Sequence, residues 1–290
     1  MKIKKEYIAA AVIIVLSVLY LLLRSDSRMN YEIPEFSQVE NEAVIAISMN
    51  GPEGSIELKK EGDQWILAPQ GYRASASEAD RVVSESVNLA IVDLISPRDD
   101  YARYKLDDEN AISVQVSTMD GKVRDFMIGK TSSTSIYTYI RLPDRKGIYS
   151  VRGNLQSVFS LNTDKWRDRQ VMNFNADEAG AVELTKDGET VLFTKTAVTE
   201  TPGWSRDGEV MENSPEMDNH MKTLGMLKNT GFLAVEPNGE PQATVKVTTP
   251  SGIHTLEVYE KQEKGYAARS SYVDYPFLIP FYIGDMILDL

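Results

Sequence analysis

Two stretches of this chain match when one is shifted by about 131 residues: Ile112-Ser-Val-Gln-Val-Ser-Thr-Met-Asp-Gly121 against Ala243-Thr-Val-Lys-Val-Thr-Thr-Pro-Ser-Gly252. Each alternates apolar and polar residues, reaches a turn that ends in glycine, and resumes as a second strand-like run, Val123 to Ile128 or Ile253 to Val258. That pattern reads as a hairpin in both places. The match extends outward, so it indicates an internal duplication. Upstream, Val44 to Met49 and Ser55 to Lys60 lead to Trp65, as Ala181 to Lys186 and Thr190 to Lys195 lead to Trp204. A helix follows in each half. In the first, Ser77 caps with Asp80 three residues on, and Val83, Val87, Ala90, Ile91 and Leu94 form the apolar stripe. In the second, Ser214 caps, Pro215 opens the first turn, and Met217, Met221, Leu224 and Leu227 form the stripe. Downstream strands around Tyr137 to Arg141 and Ile148 to Val151 end in Leu155, Val158, Phe159 and Leu161. Their counterparts end in Ile283, Met286, Ile287 and Leu288. Each half therefore reads as three strands, a helix, four strands and a short closing helix, an α+β unit of mainly antiparallel sheet. Trp65 and Trp204 hold the same place in each repeat, which marks them as repeat-core residues.

The N-terminal segment has a different character. From Ile8 to Leu23 no charge or proline interrupts the chain, and Tyr7 extends the run, enough to cross roughly 30 Å of hydrocarbon with little tilt. Lys2, Lys4 and Lys5 precede it, whereas Arg24 and Arg28, partly offset by Asp26, follow it. The positive-inside bias then places the N-terminus in the cytoplasm and the rest outside. A cleaved signal would show a shorter apolar region and a small-residue cleavage site, and Leu21-Leu22-Leu23-Arg24 offers neither. The expected layout is a cytoplasmic tip (1–6), a transmembrane helix (7–23), a juxtamembrane linker (24–42), a first α+β repeat (43–163), an inter-repeat junction (164–179) and a second α+β repeat (180–290).

Charge and composition narrow the chemistry. The chain carries a formal net charge of −12 and no cysteine. The acidic exterior repels phosphate backbones, so nucleic acid is not an expected partner. Thiolate metal sites and disulfides are ruled out. Only His220 and His254 are present, neither at a metal-ligand spacing. Ile128-Gly129-Lys130-Thr131 ends like a phosphate-binding loop, but Arg124 stands where the loop needs glycine. The acidic runs Asp99-Asp100 and Asp107-Asp108-Glu109 lack the spacing of a calcium loop and read as solvated faces. Neither a catalytic, a cofactor nor a metal site is expected. Asp164-Lys-Trp-Arg-Asp-Arg169 has no counterpart in the second repeat. Trp166, Arg167, Asp168 and Arg169 therefore form the junction, a hinge or clamp in which arginine forks pair with carboxylates.

Several short motifs in order, Trp65-Ile-Leu-x-Pro69, Tyr104-Lys-Leu-Asp107, Ile128-Gly129-Lys130, Tyr139-x-Arg141, Ile148-Tyr149-x-Val151 and Trp166-Arg167-Asp168, resemble the bacterial domain-of-unknown-function 4340 family over residues 43 to 290. Lys105 stands where that family usually has glycine. Arg73 to Ala76 replaces the usual helix entry. The resemblance implies no catalytic residues. It implies a place beside ABC-type transport systems of the gliding-motility type. The expectation is a non-enzymatic accessory or scaffold protein of the bacterial cytoplasmic membrane, its main domain periplasmic or otherwise extracytoplasmic. Its partners would be integral membrane proteins such as an ABC-type permease. An extracytoplasmic receptor for a glycan or peptide, and a hydrolase of unrecognised type, are the alternatives. A receptor would show a concave site lined by aromatics; an enzyme would show clustered carboxylates.

Overall fold

The structure is a computed structural model that describes residues 12–20, 33–196, 203–212 and 214–290. Residues 12–20 form a helix, α1, whose apolar side chains from Val12 to Leu19 are exposed. Among the described residues no helix is long and apolar enough to cross a membrane. Lys2, Lys4 and Lys5, both ends of the apolar run and the first part of the linker lie outside the described residues.

Two nine-stranded antiparallel sheets carry the fold. In the first half the strands are β1 (Val44–Gly51), β2 (Gly54–Glu61), β3 (Gln64–Ala68), β4 (Tyr72–Arg73), β5 (Ile91–Ser96), β6 (Ile112–Thr118), β7 (Gly121–Thr131), β8 (Tyr137–Arg141) and β9 (Ile148–Arg152). The helix α2 (Ala76–Val87) falls between β4 and β5, and the one-turn helices α3 (Leu155–Val158) and α4 (Thr163–Trp166) follow β9. The second half repeats the order with β10 (Ala181–Lys186), β11 (Glu189–Thr196), β12 (Gly203–Arg206), β13 (Glu209–Val210), α5 (Ser214–Gly225), β14 (Gly231–Phe232), β15 (Ala243–Thr249), β16 (Gly252–Gln262), β17 (Gly265–Ser270), β18 (Val273–Ile279) and α6 (Phe281–Asp289). The hydrogen-bonded orders are β4-β3-β2-β1-β6-β7-β8-β9-β5 and β13-β12-β11-β10-β15-β16-β17-β18-β14. Strand for strand they are the same, so the duplication legible in the sequence is a duplication of topology.

The equivalences hold at single residues. Trp65 and Trp204 are each the second residue of their strand, at 8% and 0% exposure. Thr118 pairs with Gly121 and Thr249 with Gly252 across two-residue turns, and both glycines adopt positive φ, 120° and 137°. A side chain at such a φ is strained, which is why each turn closes on glycine. In β15 the residues Ala243, Val245 and Val247 alternate inward as the period-2 pattern requires, and the α5 stripe Met217, Met221 and Leu224 joins them in one core.

Two readings of the sequence need correction. Each half has nine strands rather than seven, because the two-residue strands β4, β13 and β14 are too short to carry a pattern and β5 imitates a helix. Leu94, Ile91 and Ala90 are not on the first helix: α2 stops at Val87, and Ile91 and Leu94 lie on β5, paired with Val151 and Tyr149 of β9. The Asn88 amide donates to Ser84 O at 2.9 Å just past the helix end. In the second half Leu227 likewise falls beyond the last residue of α5, although it is buried.

The described residues gather into two compact units. One comprises the chain up to Lys60 and Asp80–Leu161; the other comprises Glu61–Ala79 and Asn162–Leu290. In the first unit, part of the linker is ordered against the sheet. Pro34 is buried, the buried Arg124 donates through Nη2 to Ser37 O at 2.6 Å, and its guanidinium lies 5.0 Å from the Phe36 ring. Burial pushes the Arg124 guanidinium below its ordinary pKa. Three motifs of the family resemblance also meet in this unit. The turn Tyr104-Lys105-Leu106 packs over Gly129, where an added Cβ would stand 2.3 Å from Tyr104 O. Tyr139 meets the Tyr104 ring edge-on at 4.8 Å, and Arg141 donates to Leu106 O and pairs with Asp108, both at 3.2 Å. Lys105, at φ 56° and ψ 40°, keeps the left-handed conformation that suits glycine.

Candidate functional site

The site belongs to the second unit and is built where the junction segment meets β4. Asn162 caps α4 by accepting from Asp164 N at 3.0 Å. Beyond α4 the chain is extended. Ser75 N donates to Trp166 O at 2.7 Å, Asp168 N donates to Arg73 O at 2.9 Å, and Ala74 bridges Arg167. Trp166 is buried at 1% exposure, and Lys165 lies over its ring while pairing with Glu78 at 3.6 Å. Asn229 N donates to Arg169 O at 2.8 Å.

Arg167 sits in an aromatic cage. Its guanidinium carbon lies 3.6 Å from the Phe232 ring centroid, 4.1 Å from that of Tyr72 and 4.4 Å from that of Tyr275. The residue is 8% exposed, its Nη1 lies 3.8 Å from Asp164 Oδ1, and its Nε has no hydrogen-bond partner among the described residues. Cation–ring attraction grows with desolvation, and here the cation is buried against half-exposed rings. The fork expected to grip carboxylates is thus held chiefly by rings. Tyr275 meets Tyr72 and Phe232 edge-on at 6.0 and 5.7 Å. Its hydroxyl donates to Asp168 O at 3.2 Å. Burial raises the Tyr275 hydroxyl above the usual tyrosine pKa, and Arg167 opposes that shift.

Beside the cage opens a groove of about 440 Å³, lined among others by Tyr72, Arg73, Asp168, Gln170, Tyr272 and Tyr275. Tyr272 stands in the two-residue turn between β17 and β18, where Ser270 pairs with Val273. Its hydroxyl accepts from Arg73 Nη1 at 2.6 Å, and the Arg73 guanidinium lies 5.5 Å from the ring centroid. The Asp168 carboxylate accepts from Gln170 N at 3.1 Å, and Gln170 Nε2 donates to Met172 O at 3.3 Å. The lining is therefore pre-positioned by internal bonds, the usual condition of a binding site. It joins ring surfaces to carboxylate, amide and guanidinium groups, so it can pair with a polar ligand that also has apolar faces. The described lining carries two carboxylates, Asp168 and Asp274, and one serine, Ser271, but no histidine.

The other candidates are placed elsewhere. His254 Nε2 lies 3.2 Å from Thr249 Oγ1, and its ring stacks on Phe174. His220 lines a second cavity of about 390 Å³ with Met211, Met217 and Met286. Among the described residues no group of three or more histidine or carboxylate side chains could hold a metal ion. Asp99 accepts from the Tyr101 hydroxyl at 2.9 Å, so one acidic run serves local structure. Trp65 and Trp204 are interior; Trp204 Nε1 donates to Asp218 at 2.9 Å. Sequence reasoning named the junction but not the tyrosines that complete it, since Tyr72 and Tyr275 lie about 200 residues apart and only the fold joins them.

In comparison with known proteins, the family described as Domain of unknown function (DUF4340) matches residues 94–250, more than half of the chain. No curated protein and no solved structure matches.

Proposed function

We propose, for a chain that belongs to the DUF4340 family, that it is a non-enzymatic binding protein tethered to the cytoplasmic membrane. Its acidic exterior engages the components of a membrane complex. The observation that carries this reading is the tyrosine-rimmed groove beside the Arg167 cage: a concave, pre-positioned, polar lining without a nucleophile–base pair suits recognition rather than turnover. The tether is supported by the apolar run from Tyr7 to Leu23 behind three lysines, and by a described helix within it whose apolar side chains all face outward. Ala9, Ala10, Ala11 and Ser17 offer small surfaces on which a neighbouring membrane helix can pack. The partner to which the family resemblance points is an ABC-type permease. A receptor for an extracytoplasmic glycan or peptide is the second reading, favoured by the same groove.

The test exchanges residues 8–23 for an unrelated spanning helix and, separately, releases the exterior region as a soluble protein. Release should abolish the phenotype of the intact protein, while the helix exchange separates mere tethering from specific helix packing. Full function of the released exterior would remove the membrane-complex reading and leave the soluble receptor.

A further inference from the structure

We infer that the groove takes a neutral saccharide, an inference that rests on the binding-protein reading above. Three half-exposed tyrosines, Tyr72, Tyr272 and Tyr275, contribute to one cavity. A tyrosine ring offers an apolar face to the C–H face of a sugar and a polar tip to its hydroxyls. Each ring is held in place: Tyr72 and Tyr275 by the Arg167 stack, and Tyr272 by the hydrogen bond from Arg73. A ligand therefore finds these rings ordered, with little rotamer freedom left to lose. The same lining carries Asp168, Gln170 and Asp274. Carboxylate oxygens accept and side-chain amides both donate and accept, the complement that neighbouring hydroxyls of a sugar need.

Charge selects the ligand further. Arg73 is the one cation in the described lining and is already bonded to Tyr272, Arg167 behind the rings is buried in its cage, and the lining also carries Asp168 and Asp274 in a chain of net charge −12. The two lining carboxylates and the acidic chain disfavour phosphorylated or uronic-acid polymers relative to an uncharged oligosaccharide. The cavity volume falls within the range of small-molecule sites and is large enough for a short oligosaccharide segment.

The experiment uses the full chain in detergent micelles, titrated with uncharged oligosaccharides of glucose and of N-acetylglucosamine, with heparin as the anionic comparator, and read by calorimetry. The inference expects binding of at least one uncharged oligosaccharide, weak or absent heparin binding, and at least tenfold weaker sugar binding in Tyr272→Ala and in Asp274→Ala. Neither residue belongs to the Arg167 cage, and thermal unfolding of both variants shows whether they remain folded. Met119→Ala, at an exposed turn in the other unit, should bind as the parent does. Absence of binding to every uncharged oligosaccharide overturns the inference, as does undiminished binding by both folded variants or preferential binding of heparin. The binding-protein reading stands or falls separately: if sugars fail but Tyr272→Ala still abolishes recovery of a membrane partner, the groove docks protein and only the saccharide inference is lost.

Discussion

At the scale of single residues, two positions show how local chemistry sets stability. Lys105 holds a left-handed conformation with its side chain exposed, so its side chain gains little there and its Cβ is strained. Lys105→Gly is expected to raise stability by about 0.5–1 kcal/mol, seen as a higher denaturant midpoint with an unchanged slope. A lower midpoint would show that the lysine contributes something other than strain. Asp218 carries the opposite kind of effect. The hydrogen bond from Trp204 Nε1, helped by Lys195 at 3.3 Å, holds its carboxyl below the ordinary aspartate pKa. A depressed folded-state pKa stabilises above the unfolded value, about 3.9, and that contribution disappears as pH falls through the folded value. Thermal unfolding from pH 7 down to pH 3 should therefore show a smaller acid-induced fall for Asp218→Asn than for the parent. Equal slopes would mean that the Trp204 contact does not bias the titration.

Elements show where the sequence speaks and where it stops. The hairpins β6–β7 and β15–β16 were legible because alternation fixes their faces and the turn glycines fix their registers, Thr118 with Gly121 and Thr249 with Gly252. The strand β5 was not, because Ile91 and Leu94 continue the helical spacing of three to four residues begun by Val83 and Val87, and periodicity alone does not separate a short apolar strand from a helix end. The junction was legible only as a segment without a counterpart. What Arg167 does depends on Tyr72, Phe232 and Tyr275, brought in by three separate strands, and no local pattern encodes such a meeting. Close approach between elements makes a prediction of its own. Gly129 of β7 lies under the Tyr104–Leu106 turn with no room for a methyl group. Gly129→Ala should destabilise by about 2–3 kcal/mol, since the obstacle is a backbone carbonyl that has little freedom to yield. An unfolding free energy within 0.5 kcal/mol of the parent, well inside the range of ordinary surface changes, would show that the turn moves freely.

For the whole molecule, a duplicated α+β fold is proposed to work from a membrane tether through a recognition groove. In the topology proposed above, the lysines at positions 2, 4 and 5 hold the N-terminus in the cytoplasm and Leu290 lies outside it. An alkaline phosphatase fusion after Leu290 should accordingly be active in intact cells, and a green fluorescent fusion at the same point dark. The reverse pair of results would place the folded repeats in the cytoplasm and remove the proposed setting for the groove. The central claim is that a non-enzymatic protein acts by assembling at the membrane, and its most direct test is recovery of partners. The full chain, affinity-purified from solubilised membranes and analysed by mass spectrometry, should bring with it an integral membrane protein in reproducible ratio, and the released exterior should recover much less of it. Recovery of no membrane protein by the full chain, together with full function of the released exterior, would contradict the account.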